Sequence, residues 1–422
     1  MDISIYNPPF SYIPEFEGED AEFLFNEFDA LYENKDTEVF RSLAGNRAKP
    51  FTPKPSKSIV FIATHCNLYQ LDMSFKDIVE LNKNKTFVGA SPYLFEFEIN
   101  RKAGNLLGKR LGFSMIPKKT IHSLDELKRE MEKGGKYVIK NYKETIIGSR
   151  EYLLSRMEAF PVFPSVLEPY IEGMDVDFCF LKSRNRVILF TLDFQHKNIG
   201  EDGTGWLIGE AGTVSIAVGE DEPIYKLFLN CVSLPVSNTY ISATFRFSFD
   251  RGKLYFLEWN TRWIGFPEVY EYHKLFLDSG ISIPSLVRHF IDEKPIKIKP
   301  KSQIVSCVVL LPMNPCLTPE FLRLRDDPYP DYSKLMKFGI FPSSASVINK
   351  KLMFHSYGAI ISQTGETLSE SINKMYKTLS LNLNVQHANW RTDIGALLLE
   401  EGAKYLHKAG LITTKTYQVL SK

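Results

Sequence analysis

The segment Lys253-Leu-Tyr-Phe-Leu-Glu-Trp-Asn-Thr-Arg262 holds the residue types and spacing with the most chemical content in the chain. Side chains alternate along a strand, so Glu258, Asn260 and Arg262 fall on one face while Leu257 and Trp259 go to the other. A carboxylate and an amide oxygen two residues apart are hard donors of the kind that hold Mg²⁺ beside nucleotide phosphates. Arg262 then stands where a guanidinium can pair with a phosphoryl oxygen. A solvated strand face with a local Glu/Arg pair has the same spacing. Lys140 ends Lys136-Tyr-Val-Ile-Lys140, next to the apolar Val138 and Ile139, which lets it reach into a cleft or simply marks where the chain meets water. Leu167-Glu-Pro-Tyr-Ile-Glu-Gly-Met-Asp175-Val-Asp177 is a strand, a tight Glu-Gly turn and an acidic restart. Such a connector can offer backbone groups to an adenine edge, with Asp175 on ribose hydroxyls, and it is also the pattern of an ordinary hairpin.

These side chains need elements to position them. Residues 58–64 (SIVFIAT) form a continuous β-branched run suited to a strand buried on both faces; a polar turn, a helix-like stretch at 74–81 and a short strand at 86–89 complete one α/β unit. Ser123-Leu-Asp-Glu126 is a capping box that opens a helix expected to stop at Gly134-Gly135, and 136–140 is a strand. Further strand signals lie at 166–171, 177–181, 187–194, 244–249 and 253–259. Many strands in succession, with helices before and after, indicate an α+β body.

The order of these pieces resembles the ATP-grasp ligases, and among them it is most similar to the phosphoribosylamine–glycine ligase (glycinamide ribonucleotide synthetase) family of the purine pathway. That family has a strand ending V-x-K, a hinge I-E-E-Y-L-x-G-x-E, a D-H-K-R segment leading to a glycine-rich substrate loop, E-x-N-x-R-x-G-D-P-E, and a late R-x-D-I-G. Here stand Val138-Ile-Lys140, Leu167 to Asp175 as quoted, Gln195-His-Lys-Asn198 leading to Gly203-Thr-Gly205, Glu258-Trp-Asn-Thr-Arg-Trp-Ile-Gly-Phe-Pro-Glu268, and Arg391-Thr-Asp-Ile-Gly395, collinear from about Phe87 to Leu398. The resemblance implies an ATP-grasp fold, α/β and α+β multidomain, with a reduced N-terminal α/β domain and a small C-terminal domain. Its divisions are expected at 1–57 (acidic aromatic segment and linker), 58–118 (N-terminal α/β), 119–185 (lid), 186–300 (catalytic subdomain) and 301–422.

The resemblance also implies an ADP-forming carboxylate–amine ligase that uses ATP and Mg²⁺ (or Mn²⁺) and proceeds through an acyl phosphate. Lys140 and Arg101, with Lys102 as fallback, would contact phosphates, Glu168, Tyr170 and Ile171 would line the adenine hinge, and Asp175 would take the ribose. Glu258 and Asn260 would hold the metal, Arg262 would steady the phosphoryl group, and Lys197, Asp202, Gly203, Thr204 and Gly209 would meet the acid. The partners implied are a small acid such as glycine and an amine. Three departures bear on them. After V-x-K, Asn141-Tyr-Lys-Glu-Thr-Ile-Ile-Gly-Ser149 has a single glycine, Gly148, for close approach to phosphate, so Lys143 and Ser149 are the possible substitutes. The glycine-recognition loop D-x-G-P-N-T-G-G-M-G is replaced by Asp202-Gly-Thr-Gly-Trp-Leu-Ile-Gly-Glu-Ala-Gly212. The N-terminal G-x-G-G-R-E-H-A phosphate loop is absent, and the late G-G-R is Tyr357-Gly-Ala359. Ligation on a different amine, in modified-nucleotide or secondary-metabolite synthesis, and a nucleotide-binding pseudoenzyme therefore stand as alternatives.

Composition bounds the rest. With 422 residues, 44% of them apolar, the chain can bury two to four domain cores, and a formal net charge of +1 gives no electrostatic case for sequestering nucleic acid or anionic membrane. Any anionic ligand must be held locally. Five scattered cysteines without a C-x-x-C pair indicate buried or idle thiols, and the start lacks a basic segment followed by an apolar one; a cytoplasmic protein with no membrane partner is the expectation. The eight histidines include no H-x-x-x-H, which argues against zinc, and His355 and His387 are taken as surface or core residues. His65-Cys66 is a turn after a buried strand rather than a nucleophile. Carboxylates from Glu15 to Glu33 are interleaved with Phe16, Phe23, Phe25 and Phe28 and suggest an amphipathic helix docked by its aromatic face more than a free acidic tail, followed by a Pro- and Lys-rich linker at 46–57.

Overall fold

The computed structural model describes residues 91–132, 135–141, 145–205, 207–261, 268–281, 283–312, 359–383 and 388–422, together with shorter pieces at 3–7, 21–23, 37–41, 59–62, 86–89, 320–321, 335, 337–342, 345–348 and 351–354. Arg262, Lys143, His65, Cys66, His355, Tyr357, Gly358, His387 and the helix expected at 74–81 lie outside the described residues.

Two sheets position the candidate residues. The larger is built on the strands Gly173–Lys182, Val187–Asn198, Leu207–Val218, Thr239–Ser248 and Lys253–Asn260, paired antiparallel, and is extended by Ile304–Pro312 and Ala359–Gly365. Alternation gives it two unlike faces. Val176, Phe178, Phe180, Phe190, Leu192, Phe245 and Phe247 are buried in the main core, where Phe178 stacks on Phe228 at 4.3 Å and Phe113 meets Phe245 edge-on at 4.9 Å. The opposite face is polar towards one end, while Leu181, Leu189, Ala217 and Tyr240 of the same face pack in a second core with Tyr272 and Phe276. In register across that face run Glu258, Thr244, Asp177, Asp193 and Ser215, flanked by a row from Arg246 to Asp175 and another from Asn260 through Ser242 and Cys179 to Thr191.

Trp259 goes to the core face as its parity demands, but Leu257 does not follow it. A register shift between Thr244 and Phe245 inserts one residue into the Glu258 strand, and Leu257 packs with Ile116, Ile171 and Tyr255 on the candidate-site side. This corrects the simple alternation.

The helix Arg101–Arg110 backs the same strand. Its buried face is Gly104, Leu107 and Gly108, and Trp259 Nε1 donates to the Gly104 carbonyl at 3.0 Å. A methyl group at 104 would meet Phe97 O at 2.3 Å and Trp259 Cδ1 at 3.1 Å. Gly104→Ala is therefore expected to cost about 1–3 kcal/mol in denaturant unfolding, as over-packing does.

The smaller sheet, Lys119–Ile121, Ser165–Pro169, Lys136–Lys140 and Thr145–Ser149, has its own core of Ile121, Leu127, Ile139, Leu153, Met157 and Leu167. Ser123 caps the helix Leu124–Glu130 by accepting from Glu126 N, as the capping box requires. This sheet ends at Pro169, and Gly173–Lys182 already belongs to the large sheet because Val176, Phe178 and Phe180 pack into the main core; the sequence reading divides these bodies after 185.

Of the stretch expected as an amphipathic helix, Ala21–Phe23 is a strand paired with Ala345–Ile348, and the remainder, with the linker expected at 46–57, lies outside the described residues. Ile3–Asn7 pairs parallel with Thr37–Arg41 and with Ile59–Ile62, which in turn pairs with Thr86–Gly89. The three described cysteines, Cys179, Cys231 and Cys307, are buried and free. Among the described residues no helix is long and apolar enough to cross a membrane.

Candidate active site

Glu258 and Asn260 share the polar face of the large sheet, as their spacing requires. Both oxygens of the Glu258 carboxylate meet cations: Arg101 Nη2 lies 2.7 Å from Oε2 and Lys197 Nζ 3.5 Å from Oε1. Asn260 Nδ2 donates to Thr244 Oγ1 at 2.8 Å. Thr261, which follows, is held by Glu98, whose Oε2 accepts from Thr261 N at 2.7 Å and from Thr261 Oγ1 at 3.0 Å. Burial works against the Lys197 ammonium, but the carboxylates of Asp175, Glu258 and Asp177 outweigh it and hold its pKa above the usual lysine value. It stays charged.

This donor set fits a divalent ion of the Mg²⁺ type. One carboxylate and one amide project from the same face, and the carboxylate already draws two cations. Among the described residues no three His, Cys, Asp or Glu side chains gather as a metal cage, so an ion on Glu258 and Asn260 would complete its shell from phosphate oxygens and water.

Lys140 and Glu168 meet between the two central strands of the smaller sheet. Pairing of Val138 with Glu168 puts Lys140 diagonal to the carboxylate, and Lys140 Nζ bonds Glu168 Oε2 at 2.7 Å. Lys118 Nζ lies 3.6 Å from the other oxygen. Glu168 is 3% exposed. Tyr170 N donates to Lys136 O at 2.9 Å, and the Ile171 carbonyl accepts from Arg246 Nε at 3.0 Å. Those two backbone groups of the expected adenine hinge are thus already paired. Arg246 also reaches Asp175 Oδ1 at 3.0 Å and the Tyr170 hydroxyl at 3.2 Å. The apolar group of Ile116, Ile171, Tyr255 and Leu257 lies against the same connector.

The glycine-bearing loop beyond Asn198 is clasped by the late Arg391-Thr-Asp-Ile-Gly395 motif. Arg391, 5% exposed, donates through Nη1 to Asn198 O at 3.0 Å and pairs with Asp393 through Nε and Nη2; Asp393 Oδ2 accepts from Asp202 N at 3.0 Å. Thr392 Oγ1 bonds Glu201, and Thr204 Oγ1 donates to Glu201 O at 2.7 Å. Asp202, Gly203 and Gly205 all have positive φ, and a Cβ at Gly203 or at exposed Gly209 would meet open space. Asp202, Gly203 and Thr204 therefore lie together on one tight turn, with Gly209 at the start of the next strand.

His196 accepts from Gly395 N through Nε2 at 3.0 Å. Burial, and then the Arg391 guanidinium, push its imidazole down to about 4. In the unfolded chain it titrates near 6.5, so between the two values the unfolded state binds the extra proton; stability from this group is complete above pH 6.5 and is lost as pH falls toward 4. The parent is expected to lose about 2 kcal/mol between pH 7 and pH 5 that His196→Gln does not lose, read from urea midpoints at both pH values.

The sequence reading did not single out Lys118, Arg246, Glu98 or His196. Arg246 carried a usable signal, a charge between Phe245 and Phe247 in an otherwise apolar strand. The partners of Lys118 and Glu98 lie far along the chain and no local pattern marks them, while His196 and Gly395 each belong to a quoted motif that gives no sign of the bond between them.

No family model and no curated protein matches the sequence. Among solved structures, the chain is similar to phosphoribosylamine–glycine ligase from Thermotoga maritima, with a TM-score of 0.58 and 16% identity over 85% of this chain and 94% of that one. It is also similar to the biotin carboxylase domain of a thermophilic 2-oxoglutarate carboxylase bound to bicarbonate, with a TM-score of 0.53 and 15% identity over 85% and 81% of the two chains. A third similar structure is the corresponding domain of the Hydrogenobacter thermophilus enzyme in complex with MgADP and bicarbonate, with a TM-score of 0.53 and 14% identity over 86% and 79%. At these identities the likeness concerns the fold, which is ATP-grasp, as the order of motifs led one to expect.

Proposed function

We propose that this ATP-grasp chain is a ligase that joins a small carboxylic acid, glycine or a relative, to an amine, in the manner of phosphoribosylamine–glycine ligase, with ATP and Mg²⁺. The observation that carries the proposal is that Glu258 and Asn260 share one face of the large sheet, with Lys197 on the Glu258 carboxylate, and that the connector 170–172 joins this sheet to the one that bears Lys140, whose partner Glu168 also faces Lys118. In two of the similar structures the bound molecules are bicarbonate, or MgADP with bicarbonate, which supports a nucleotide and a carboxylate-like substrate in this type of cleft.

In the proposed reaction the γ-phosphoryl group passes to a carboxylate oxygen of the acid, its bond to the β-phosphate breaks, and ADP leaves. The amine lone pair then attacks the acyl carbon, the C–O bond to phosphate breaks, and the nitrogen sheds a proton. Such chemistry asks the protein for positioning and charge neutralisation rather than a nucleophile. Lys140, Lys118 and Arg101 neutralise phosphate oxygens, with Glu168 orienting the two lysines. The apolar group of Ile116, Ile171, Tyr255 and Leu257 lies beside the connector that would receive the base, and Asp175, braced by Arg246, meets the ribose. Lys197, Asp202, Gly203, Thr204 and Gly209 receive the acid, and Arg262 steadies the transferring group. Glu258 and Asn260 would hold Mg²⁺, which would supply charge neutralisation for the transferring phosphoryl group.

The test is ADP release with Mg²⁺ over a panel of amino acids crossed with a panel of amines. At least one pair is expected to raise release well above that with ATP alone. If the nucleotide binds and no pair does so, the chain is a binding module.

A further inference from the structure

We propose that Arg101 gates the Glu258 carboxylate, so that a divalent cation gains this ligand only when a nucleotide arrives to draw Arg101 away. The proposal rests on the reading of Glu258 as a metal ligand.

Two cations hold Glu258, and they differ in kind. Lys197 is 24% exposed and is fixed by three surrounding carboxylates, Asp175, Asp177 and Glu258. The Arg101 side chain is 69% exposed, yet its backbone is anchored. It opens the helix Arg101–Arg110, whose N-cap Asn100 accepts from Ala103 N at 3.1 Å and whose Gly104 and Gly108 lie against Trp259 and Phe256 of the Glu258 strand itself. The guanidinium is thus a detachable charge on a fixed arm.

Arg101 Nη2 sits 2.7 Å from Oε2, the Glu258 oxygen that Lys197 does not approach within the ion-pair distance. Mg²⁺ requires oxygen at about 2.1 Å, and a full positive charge beside it at that distance is repelled. The guanidinium must therefore leave before the ion is seated. An exposed ion pair is a weak restraint, so leaving is easy once a better anion is present. A phosphate is such an anion, because it takes an arginine bidentately. Arg101 accordingly exchanges a carboxylate for a phosphate, and Glu258 is handed to the metal in the same event. Lys197 stays where it is.

The experiment titrates nucleotide-free protein with Mn²⁺ and reads free Mn²⁺ by electron paramagnetic resonance. Arg101→Gln is expected to tighten Mn²⁺ binding roughly three- to tenfold, while it weakens ADP binding measured without divalent ions. Lys109→Gln removes the same charge from an exposed position on the same helix and is expected to leave Mn²⁺ affinity within about twofold. The gate is overturned if Arg101→Gln leaves Mn²⁺ affinity unchanged or weaker, or if both variants tighten it equally. Adding Glu258→Gln to Arg101→Gln separates the two readings: loss of Mn²⁺ binding supports the site that the gate controls, whereas retained binding removes the metal ligand itself, and the gate with it.

Discussion

Glu258→Gln is expected to lower Mg²⁺-dependent ADP release by about 10²- to 10³-fold while leaving the protein folded. The substitution keeps volume and removes the one negative charge on which Arg101 and Lys197 converge. Lys197 retains Asp175 and Asp177, so its ammonium still has two carboxylates to face. The lost pair with Arg101 is exposed on the arginine side and contributes at most about 1 kcal/mol. Activity and stability should therefore separate widely. The comparison is initial rates of ADP formation at saturating Mg²⁺ against thermal midpoints of the same two preparations. Rates within a few-fold of the parent would remove Glu258 from the reaction, and a collapse of the midpoint would make it a structural residue instead.

How far the sequence reached depended on whether a feature was local. Strand alternation placed Glu258 and Asn260 on one face without any knowledge of partners, and the capping box at Ser123 announced its helix because both of its members sit within one turn. Alternation failed one residue away, at Leu257. The inserted residue that turns it toward Ile171 is a property of the pairing with Thr239–Ser248, which a single strand's sequence does not contain. The acidic aromatic start shows the same limit in another form. Phenylalanines between carboxylates suit more than one periodicity, and the parallel partners of Ile3–Asn7 lie some thirty to sixty residues further on. The connector at 170–171 was legible as a connector. That its N–H and carbonyl already bond Lys136 and Arg246 was not, because both partners come from other strands. The late Arg391 motif was legible as a motif, but its work on the Asn198 carbonyl and on Asp202 spans nearly two hundred residues. Local chemistry was readable; the side chains that brace it were not.

Lys140→Ala is expected to weaken nucleotide binding about tenfold to a hundredfold and, unlike a change at an isolated surface lysine, to loosen the small sheet as well. From sequence alone this lysine ends a strand and its loss leaves the fold untouched. The structure alters that expectation, since Lys140 bonds a carboxylate that is 3% exposed and whose other partner, Lys118, stands off at 3.6 Å. Removing Lys140 leaves Glu168 buried with that one distant ammonium, which is expected to destabilise the sheet by about 1–3 kcal/mol. Lost affinity in the single variant is then ambiguous, because a loosened sheet also binds nucleotide poorly. The double variant Lys140→Ala, Glu168→Gln resolves it. Neutralising Glu168 relieves the buried charge and is expected to recover most of the stability, while the phosphate contact stays absent and nucleotide affinity stays low. Calorimetric titration with ADP and thermal unfolding, run on the parent and the two variants, read the two effects independently. Recovery of affinity together with stability would make Lys140 a partner for Glu168 and nothing more; recovery of stability alone places its ammonium on the nucleotide.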